Sequence, residues 1–354
     1  HIAVQGYIKL ASQGKYTEAL ELIKKENPFP AVCGRICPRS CESACTRGDI
    51  DEPIAIDEIK KFIADQDLNE NNRFIPKKRH DYTTPVAVIG SGPSGMSCAY
   101  YLALDGYQVT VFEKQEKPGG MLTMGIPGFR LEKNVVEAEI EVLRQLGVHF
   151  RTGVEVGKDV TIQQLRQQGF QAFYLAIGAQ GGRKLNIPGE DTEGVVAGVD
   201  FLRSINLGSI PAMTGKTVVI GGGNVAIDVA RAAARTAAVS VDMYCLEGRS
   251  EMPALPEEIR EAEEEHVAIH NGYGPKEILV KDGRAVGVVF KKCLRVFDEN
   301  HRFAPQYDEN DTITVETDHV LLSIGQSIQW GNLLAGTAVV TRHNGTVEAD
   351  PFTY

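Results

Sequence analysis

A glycine-rich turn that joins a strand to a helix occurs twice in this chain of 354 residues, about 130 residues apart. The first copy is Gly90-Ser91-Gly92-Pro93-Ser94-Gly95 and the second is Gly221-Gly222-Gly223-Asn224-Val225-Ala226. Each follows a short apolar run, Val86–Ile89 or Thr217–Ile220, and each opens a helical pattern. Alternating strands and helices with a repeat of this length predict two α/β units with parallel sheets.

The first turn matches G-x-G-x-x-G, the pattern of a dinucleotide-binding site. Its glycines allow a tight turn, the approach of the backbone to a pyrophosphate, and close packing of helix and strand; in order they are Gly90, Gly92 and Gly95. The start of the helix, Pro93-Ser94, offers N–H groups and a positive dipole end to the phosphates. The next strand, Gln108–Phe112, ends on Glu113, whose carboxylate can accept hydrogen bonds from ribose hydroxyls.

The second turn matches G-x-G-x-x-A and predicts a second dinucleotide site at Gly221, Gly223, Asn224 and Val225. The strand that follows, about Val239–Cys245, leads to Glu247 and Arg249. An acid in this place binds the ribose 2′-hydroxyl of NAD and repels the 2′-phosphate of NADP. Glu247 therefore favours NAD(H), although Arg249 could reach a phosphate.

Composition excludes several function classes. The apolar content of 43% and charged content of 24% are typical of soluble globular proteins. The net charge is -10, whereas nucleic-acid-binding proteins carry a basic stripe. No apolar run reaches the roughly 18 residues that span a bilayer, and no signal peptide opens the chain. We therefore predict a cytoplasmic protein that binds neither nucleic acid nor membrane.

Four of the seven cysteines lie in one segment near the N-terminus, spaced as Cys33-x3-Cys37-x3-Cys41-x3-Cys45. Helical patterns flank them at 1–30 and 52–66, and a polar stretch at 67–84 indicates a linker. The spacing differs from that of zinc fingers and of bacterial ferredoxins. Thiols this dense in a chain with no sign of secretion favour a metal group over disulfides.

The chain resembles the small (β) subunit of glutamate synthase and its relatives. These include the N-terminal part of dihydropyrimidine dehydrogenase and the large subunit of bifurcating ferredoxin:NADP transhydrogenases. The resemblance covers essentially the whole chain, and these segments carry it: Asn27–Pro38, Cys41-Glu42-x2-Cys45, Pro53–Ile56, Gly119–Leu122, Gly125–Leu131, Leu175–Ala179, Gly221–Ala226 with Asp228, Glu251–Ala254 and Ile324–Gln326.

The resemblance implies an electron-transfer flavoprotein with FAD in the first unit, NAD(P)H in the second and [4Fe–4S] clusters in a helical domain. Hydride passes from the nicotinamide to FAD and single electrons pass on to a cluster, so no catalytic acid or base is expected. The implied cluster ligands are Cys37, Cys41, Cys45 and also Cys33, which some relatives lack. The implied FAD contacts beyond the glycine-rich turn are Gly120, Met121, Arg130, Ala176, Ile177, Gly178, Gly325 and Gln326.

We therefore expect an α/β protein with two Rossmann-like domains of the glutathione-reductase kind, preceded by a small α-helical iron–sulfur domain. The expected boundaries are residues 1–80 for the iron–sulfur domain, 81–195 with 315–354 for the FAD domain, and 196–314 for the NAD(P) domain. In the family a further cysteine motif would precede His1 and a Gly-Asp motif would follow Tyr354. We accordingly expect the first two domains to be incomplete, with one cluster at most.

The family's nucleotide loop usually reads Tyr-Arg-Arg-Ser-Arg-Glu-Glu-Met-Pro, and residues 245–253 depart from it. Both leading arginines are absent and Glu247 is acidic, which again favours NAD(H) over NADP(H). The expected partner is a larger catalytic or electron-accepting subunit, such as the glutamate synthase large subunit, or ferredoxin.

Other functions stay open at this point. A bifurcating NAD(P)H:ferredoxin oxidoreductase and a pyrimidine-dehydrogenase subunit would use the same chemistry. A disulfide reductase would need a redox-active C-x-x-C, which the sequence does not contain. A nucleotide-binding assembly module without turnover is the alternative from another class of protein.

Overall fold

The computed structural model describes residues 2–69, 73–209 and 213–352. Contacts divide the chain into two compact units. The first consists of His1–Gly178 with Trp330–Tyr354, and the second is Ala179–Gln329. Part of the predicted linker at 67–84 lies outside the described residues, but Arg73 and the backbone of Phe74 bond to Asp67, at distances of 2.9–3.0 and 2.7 Å.

The first unit opens with short helices whose apolar faces pack on one another around Tyr7, Leu20, Ile23 and Ile63. The single helical pattern predicted for 1–30 is divided, because Gly14 adopts a left-handed conformation at φ +73. The elements are α1 (Val4–Ala11), α2 (Tyr16–Lys24), α3 (Pro30–Ile36), α4 (Ser40–Ser43), a 3-10 turn (Thr46–Asp49) and α5 (Ile56–Leu68).

A four-stranded parallel sheet follows, in the order β3-β2-β1-β4. Its central strand β1 is an apolar run buried on both faces, as expected when helices cover a parallel sheet. The elements are β1 (Pro85–Ile89), α6 (Pro93–Asp105), β2 (Gln108–Glu113), α7 (Met121–Met124), α8 (Lys133–Gln145), β3 (His149–Thr152), α9 (Ile162–Gln167) and β4 (Ala172–Leu175).

The helical segment and this sheet share one core. Phe29 and Val32 of the helical segment pack in the same cluster as Met96 on α6. A buried ion pair also joins the two parts, with Lys24 Nζ 3.1 Å from Glu139 Oε2 and side-chain exposures of 1% and 2%. The predicted helical domain is therefore packed into the first unit.

The second unit contains a five-stranded parallel sheet in the order β6-β13-β7-β8-β9, in which β13 is His319–Leu322, with α10, α11 and α12 beside it. The helix α11 after the second glycine-rich turn is rich in alanine and almost wholly buried. The elements are β5 (Gly181–Gly182), β6 (Val195–Ala197), α10 (Gly198–Asn206), β7 (Gly215–Ile220), α11 (Asn224–Ala234), β8 (Ala238–Cys245), a 3-10 turn (Arg249–Glu251), α12 (Pro256–Glu264) and β9 (Ala268–Asn271).

A three-stranded antiparallel sheet, which no sequence pattern predicted, then packs against the parallel sheet. Val288 and Phe290 of its middle strand are buried with Val218 and Tyr244 of the parallel sheet. Its strands are β10 (Tyr273–Lys281), β11 (Arg284–Phe297) and β12 (Phe303–Glu316), followed by β13 (His319–Leu322) and β14 (Gln326–Ser327).

The predicted α/β class with two Rossmann-like sheets is confirmed by this architecture. The units divide near 178 and 330, whereas the predicted domains divide at 195/196 and 314/315. The difference arises because β13 pairs with both β6 and β7, and β14 pairs with β5, which places residues 181–182, 195–197, 319–322 and 326–327 in the second unit. Within the described residues no helix is long and apolar enough to cross a bilayer.

Candidate functional site

The first glycine-rich turn lies between β1 and α6 and depends on close backbone contacts. Gly90 has φ +104, and a Cβ there would lie 2.4 Å from the carbonyl oxygen of Ala176. A Cβ on Gly95 would lie 2.0 Å from the carbonyl oxygen of Gly90. Larger residues cannot occupy these two positions, so the turn has the packing that the motif predicts. Predicted residues Gly90, Gly95 and Ala176 are thus brought together.

Glu113 ends β2 next to this turn, where the sequence predicts a ribose-binding acid. Glu113 is 3% exposed, and its carboxylate accepts three hydrogen bonds. The donors are Ser91 N at 3.0 Å, Ser91 Oγ at 2.5 Å and Gln115 N at 2.9 Å. Ser91 Oγ also accepts from Gly119 N at 3.0 Å, so one hydroxyl joins the turn, the acid and the 119–120 loop.

The start of α6 suits a pyrophosphate. Gly92 is the N-cap, and no side chain caps the helix, so no capping side chain occupies its first N–H groups. A Cβ on Gly92 would meet nothing within 4 Å, whereas one on Gly120 would lie 2.7 Å from Gly92 Cα. The loop before Met121 and α7 therefore lies against the turn and leaves space beside it. This cradle fits the diphosphate of FAD.

The other predicted FAD residues lie in different surroundings. Ser94 Oγ is 3.0 Å from the hydroxyl of Tyr174 on β4. Gly178, which follows Ile177, has φ +67, and a Cβ added to it would meet no atom within 4 Å. The backbone N–H of Arg130 bonds to Pro127 O in the turn after α7. Contact of these residues with FAD stays a prediction.

A cavity of about 820 Å³ opens in the second unit, within the size range of ligand pockets. The second glycine-rich turn forms part of its wall, through residues 221–225. Gly221 has φ +143, and a Cβ there would lie 2.3 Å from Ser323 O. Gly223 is the N-cap of α11 and has no side-chain cap, as at the first turn. The predicted residues Gly221, Gly223, Asn224 and Val225 therefore line one cavity.

Glu247 also lines this cavity, and Arg249 is not among the lining residues. A Cβ on Gly222 would lie 2.7 Å from Glu247 Oε2, so the carboxylate sits beside the turn where a ribose is expected. Arg249 instead pairs with Glu263 on α12, at 2.6 Å. The structure thus brings the predicted acid to the site and directs the predicted arginine to a helix.

Two asparagines hold the loop that carries Glu247. Asn224 Oδ1 accepts from Leu255 N at 2.8 Å, beyond the loop's far end. Asn271, at the end of β9, donates from Nδ2 to Glu247 O at 3.1 Å and to Cys245 Sγ at 3.2 Å. Sequence reasoning missed Asn271 and Ser91. Ser91 lies inside the motif and could have been found, whereas no local pattern marks Asn271.

The segment after β13 approaches the same cavity. Gly325 lines it together with Arg183, whose Nε donates to Gln326 O at 3.0 Å. Gln326 pairs with Gly182 between β14 and β5. Gly325 and Gln326 therefore lie in the second unit, and their predicted nearness to the flavin ring stays a prediction.

The four clustered cysteines lie on and around α3, α4 and the 3-10 turn, and all are free thiols. Burial raises the pKa of the Cys33 thiol, and the nearby Lys60 ammonium opposes this. Backbone N–H groups of Ile54, Arg47 and Gly48 lower the pKa of the Cys45 thiol. A buried ion pair between Lys60 and Asp57, with side chains 9% and 1% exposed, lies in the same region.

The surroundings of Cys45 suit a sulfur ligand, since backbone N–H donors stabilise its thiolate. At Cys33 burial disfavours the thiolate, and the Lys60 ammonium opposes this only in part. In the part of the chain that the structure describes, no three His, Cys, Asp or Glu side chains converge into a group that could hold a metal. The donor chemistry therefore fits a thiolate-bound cluster, and the present arrangement of Cys33, Cys37, Cys41 and Cys45 does not form a complete cage.

Two glycine-rich turns, each at the carboxyl edge of a parallel sheet, define a protein with two dinucleotide-binding folds. Residues 84–353 match the family profile described as pyridine nucleotide-disulphide oxidoreductase, and residues 1–72 match the one described as dihydropyrimidine dehydrogenase domain II, 4Fe-4S cluster. The chain belongs to the pyridine nucleotide-disulphide oxidoreductase family, and within it to the group that includes the small chain of glutamate synthase.

Two curated relatives illustrate this group. The glutamate synthase [NADPH] small chain of Azospirillum brasilense is 33% identical over 91% of this chain and 70% of that protein. The NADP(+)-dependent formate dehydrogenase subunit beta of Moorella thermoacetica is 35% identical over 100% of this chain and 53% of that protein. The chain thus spans about half the length of some of the curated relatives it matches.

Among solved structures, FprA from Mycobacterium tuberculosis matches with a TM-score of 0.62 and 23% identity. The match covers 70% of this chain and 72% of that one. At this identity the likeness establishes the fold. The two family profiles and the glutamate synthase small chain confirm the predicted resemblance at the level of the family.

Proposed function

We propose that this protein transfers electrons between NAD(P)H and FAD, and onward to an iron–sulfur group that serves a larger partner subunit. The observation that carries the proposal is the pair of separately built dinucleotide turns in one chain, the second of which lines a cavity of about 820 Å³. FAD, when bound, supplies the conversion of a two-electron hydride transfer into single-electron steps.

In the first unit the proposed FAD contacts surround the β1–α6 turn. The uncapped start of α6 would hold the pyrophosphate through Ser94 and Gly95, and Gly92 leaves the backbone open to it. Glu113, whose carboxylate is held by two hydrogen bonds from Ser91, would bind the ribose. Gly120 would close the cradle from the opposite loop.

In the second unit we propose that Glu247 binds the ribose 2′-hydroxyl of the nicotinamide dinucleotide and favours NAD(H). Three features support this proposal: Glu247 faces the cavity, Arg249 pairs with Glu263, and Lys291 on the wall is neutralised by Glu309 at 2.7 Å. The 2′-phosphate of NADP(H) would lie beside the Glu247 carboxylate, while Arg249 is paired with Glu263. The names of the relatives specify NADP(H) and stand against this choice.

For the N-terminal helices we propose cluster ligation by Cys33, Cys37, Cys41 and Cys45. The family match of residues 1–72 and the thiolate-stabilising surroundings of Cys45 support this assignment. Iron and acid-labile sulfide measured in protein purified without air test it directly. A quadruple Cys→Ser variant should contain less than a tenth of the wild-type iron, and an iron-free wild type would remove the assignment.

We propose a larger catalytic subunit, such as the large subunit of a glutamate synthase, as the electron acceptor. Support comes from the names of the relatives, which are called a small chain or subunit beta. Alternatives with the same chemistry are a bifurcating oxidoreductase and a pyrimidine-dehydrogenase subunit.

Stopped-flow absorbance of the FAD-loaded protein tests the central step. Mixing with NADH without air should bleach the flavin bands in a single turnover. The rate of bleaching should be higher with NADH than with NADPH at the same concentration. A protein that binds NADH without any bleaching would instead be an assembly module without turnover.

Glu247→Ala separates the specificity proposal from the function itself. Without the carboxylate, the preference for NADH over NADPH should fall by about tenfold, because one charge-assisted hydrogen bond is lost and one repulsion is removed. Glu264→Ala, which removes an exposed carboxylate at the end of α12 that does not line the cavity, is the matched control. Equal preference in Glu247→Ala and wild type would contradict the assigned role of Glu247 while leaving hydride transfer intact.

A further inference from the structure

Helix α3, which carries Cys33 and ends just before Cys37, is held at its start by a carboxylate from a distant helix. Its N-cap is Phe29, whose side chain offers no hydrogen-bond acceptor. Glu139 on α8 supplies the acceptor instead: its Oε1 accepts from Ala31 N, in the first turn of α3, at 3.1 Å. We infer that Glu139 is a positioning residue for the onward transfer of electrons from FAD, because it fixes the cysteine-bearing helix relative to the FAD cradle. The inference rests on the proposed function.

The Glu139 carboxylate is itself firmly held. The residue is 1% exposed. Its Oε2 accepts from Lys24 Nζ at 3.1 Å, and the Arg73 guanidinium lies 3.9 Å from the same oxygen. Lys24 also donates to Pro28 O at 3.4 Å, two residues before α3 begins. A buried carboxylate with these partners has one preferred orientation, so it can define where the first turn of α3 lies.

A second contact joins the other end of α3 to α8. Arg35, in the last turn of α3, donates from Nε to Glu132 Oε2 at 2.7 Å and from Nη1 to Asp65 on α5 at 2.8 Å. Glu132 is the N-cap of α8. A tilt of α3 would therefore break one of its two contacts with α8. The Glu132 side chain is 54% exposed, so the buried contact at Glu139 is the stronger of the two.

Helix α8 also holds the loop proposed to bind FAD. Lys133, at the start of α8, donates from Nζ to Leu122 O at 3.0 Å. Leu122 belongs to α7, whose N-cap is the proposed FAD contact Gly120. Helix α6, which begins at the first glycine-rich turn, is joined as well, because the Tyr100 hydroxyl donates to Lys24 O at 3.1 Å. The cysteine-bearing helix and both parts of the FAD cradle are thus tied together through α8 and Lys24.

This arrangement affects one step of the proposed function more than the other. Reaction steps depend steeply on the positions of the reacting groups, and a displacement of about 1 Å can cost roughly a hundredfold in rate. The same argument applies to electrons that pass between two fixed centres. Hydride transfer to FAD does not involve α3, so its rate should be independent of Glu139.

Two double variants isolate the contact between Glu139 and Ala31. Lys24→Met with Glu139→Gln removes both charges and keeps an oxygen that can accept from Ala31 N. Lys24→Met with Glu139→Leu removes both charges and the acceptor. Replacing a buried ion pair by uncharged residues of similar size is often neutral for stability, so both variants should fold. Circular dichroism and FAD content check this.

The first readout is backbone hydrogen exchange of the full-length, FAD-loaded protein, followed by mass spectrometry. The amides of residues 31–37 should exchange about threefold to tenfold faster with Glu139→Leu than with Glu139→Gln, because one hydrogen bond is lost. The control is Glu137→Leu, since the Glu137 side chain on the same helix is 56% exposed and pairs with Arg144. This variant should leave the exchange of residues 31–37 unchanged.

The second readout is stopped-flow absorbance after mixing with NADH without air. The rate of flavin bleaching should agree within about twofold in wild type and both double variants. The later change in iron–sulfur absorbance should be at least about fivefold slower with Glu139→Leu than with Glu139→Gln.

The possible failures are distinguishable. Equal exchange and equal onward transfer in the two double variants would show that the role of Glu139 is wrong, while the proposed function stands. Faster exchange without slower onward transfer would make Glu139 a purely structural residue, which also overturns the inference. Faster exchange throughout the first unit would mean general destabilisation, with the same consequence. A wild type that contains no iron, or whose flavin neither NADH nor NADPH bleaches, would overturn the proposed function itself.

Discussion

Ser91→Ala tests how the first glycine-rich turn controls affinity for FAD. The Ser91 hydroxyl, on a residue with no exposed surface, donates to Glu113 Oε2 at 2.5 Å and accepts from Gly119 N at 3.0 Å. Alanine removes both bonds. It leaves the Glu113 carboxylate with fewer donors and the buried Gly119 N–H without its acceptor.

The magnitude follows from these contacts. A hydrogen bond to a charged acceptor contributes about 1.5–3 kcal/mol. We expect most of this to appear in FAD binding, because Ser91 fixes both the acid proposed for the ribose and the loop proposed for the pyrophosphate. The Kd for FAD should therefore rise by about tenfold to a hundredfold.

The assay is reconstitution of apoprotein with FAD, followed by quenching of flavin fluorescence. Ser97→Ala, one turn further along α6, is the matched control and should leave the Kd within about twofold. A Kd for Ser91→Ala within threefold of wild type, with an unchanged circular dichroism spectrum, would refute the reasoning.

Two further predictions concern stability. Glu139→Gln leaves the buried Lys24 ammonium without its counter-charge. The free energy of unfolding of the first unit, measured in urea, should therefore fall by about 3 kcal/mol, and a fall of less than about 1 kcal/mol would contradict this. Partial burial raises the pKa of Glu265, but hydrogen bonds from Arg235 and Arg231 outweigh it and hold the pKa below its usual 4.5. The carboxylate therefore stabilises the fold above pH 4.5, and this stabilisation is lost as the pH falls through the lower folded-state pKa. Glu265→Gln should accordingly unfold at lower urea than wild type at pH 7, and the difference should vanish in acid; a difference independent of pH would exclude the ion pair as its cause.

Local patterns predicted the two strand–turn–helix units well. The strand predicted at 217–220 belongs to β7, and the helix predicted from the first turn to about Asp105 is α6. Such units can be predicted because the glycine spacing, the apolar run and the terminal acid all lie within about 30 residues of one another. The predicted residues at both turns accordingly lie together in the structure.

Distant contacts could not be predicted in this way. Lys24 and Glu139 are 115 residues apart, and neither lies in a motif, so their pairing depends on how α2 meets α8. The antiparallel sheet gave no nucleotide-binding signal in the sequence, although Phe303 and Tyr307 of its strand β12 line the second cavity. Its contribution to the cavity follows only from its packing against β7, β8 and β13.

Short spacings in the sequence are enough to predict the two dinucleotide turns, the acids Glu113 and Glu247, the clustered thiols and the family. These depend on short spacings that the backbone imposes directly. Tertiary structure alone decided that Ser91 holds Glu113, that Arg249 turns to Glu263, and that an aromatic wall completes the second cavity. The physical reason is that a side chain's partner is set by which elements pack together, and that packing is a property of the whole core rather than of any local segment.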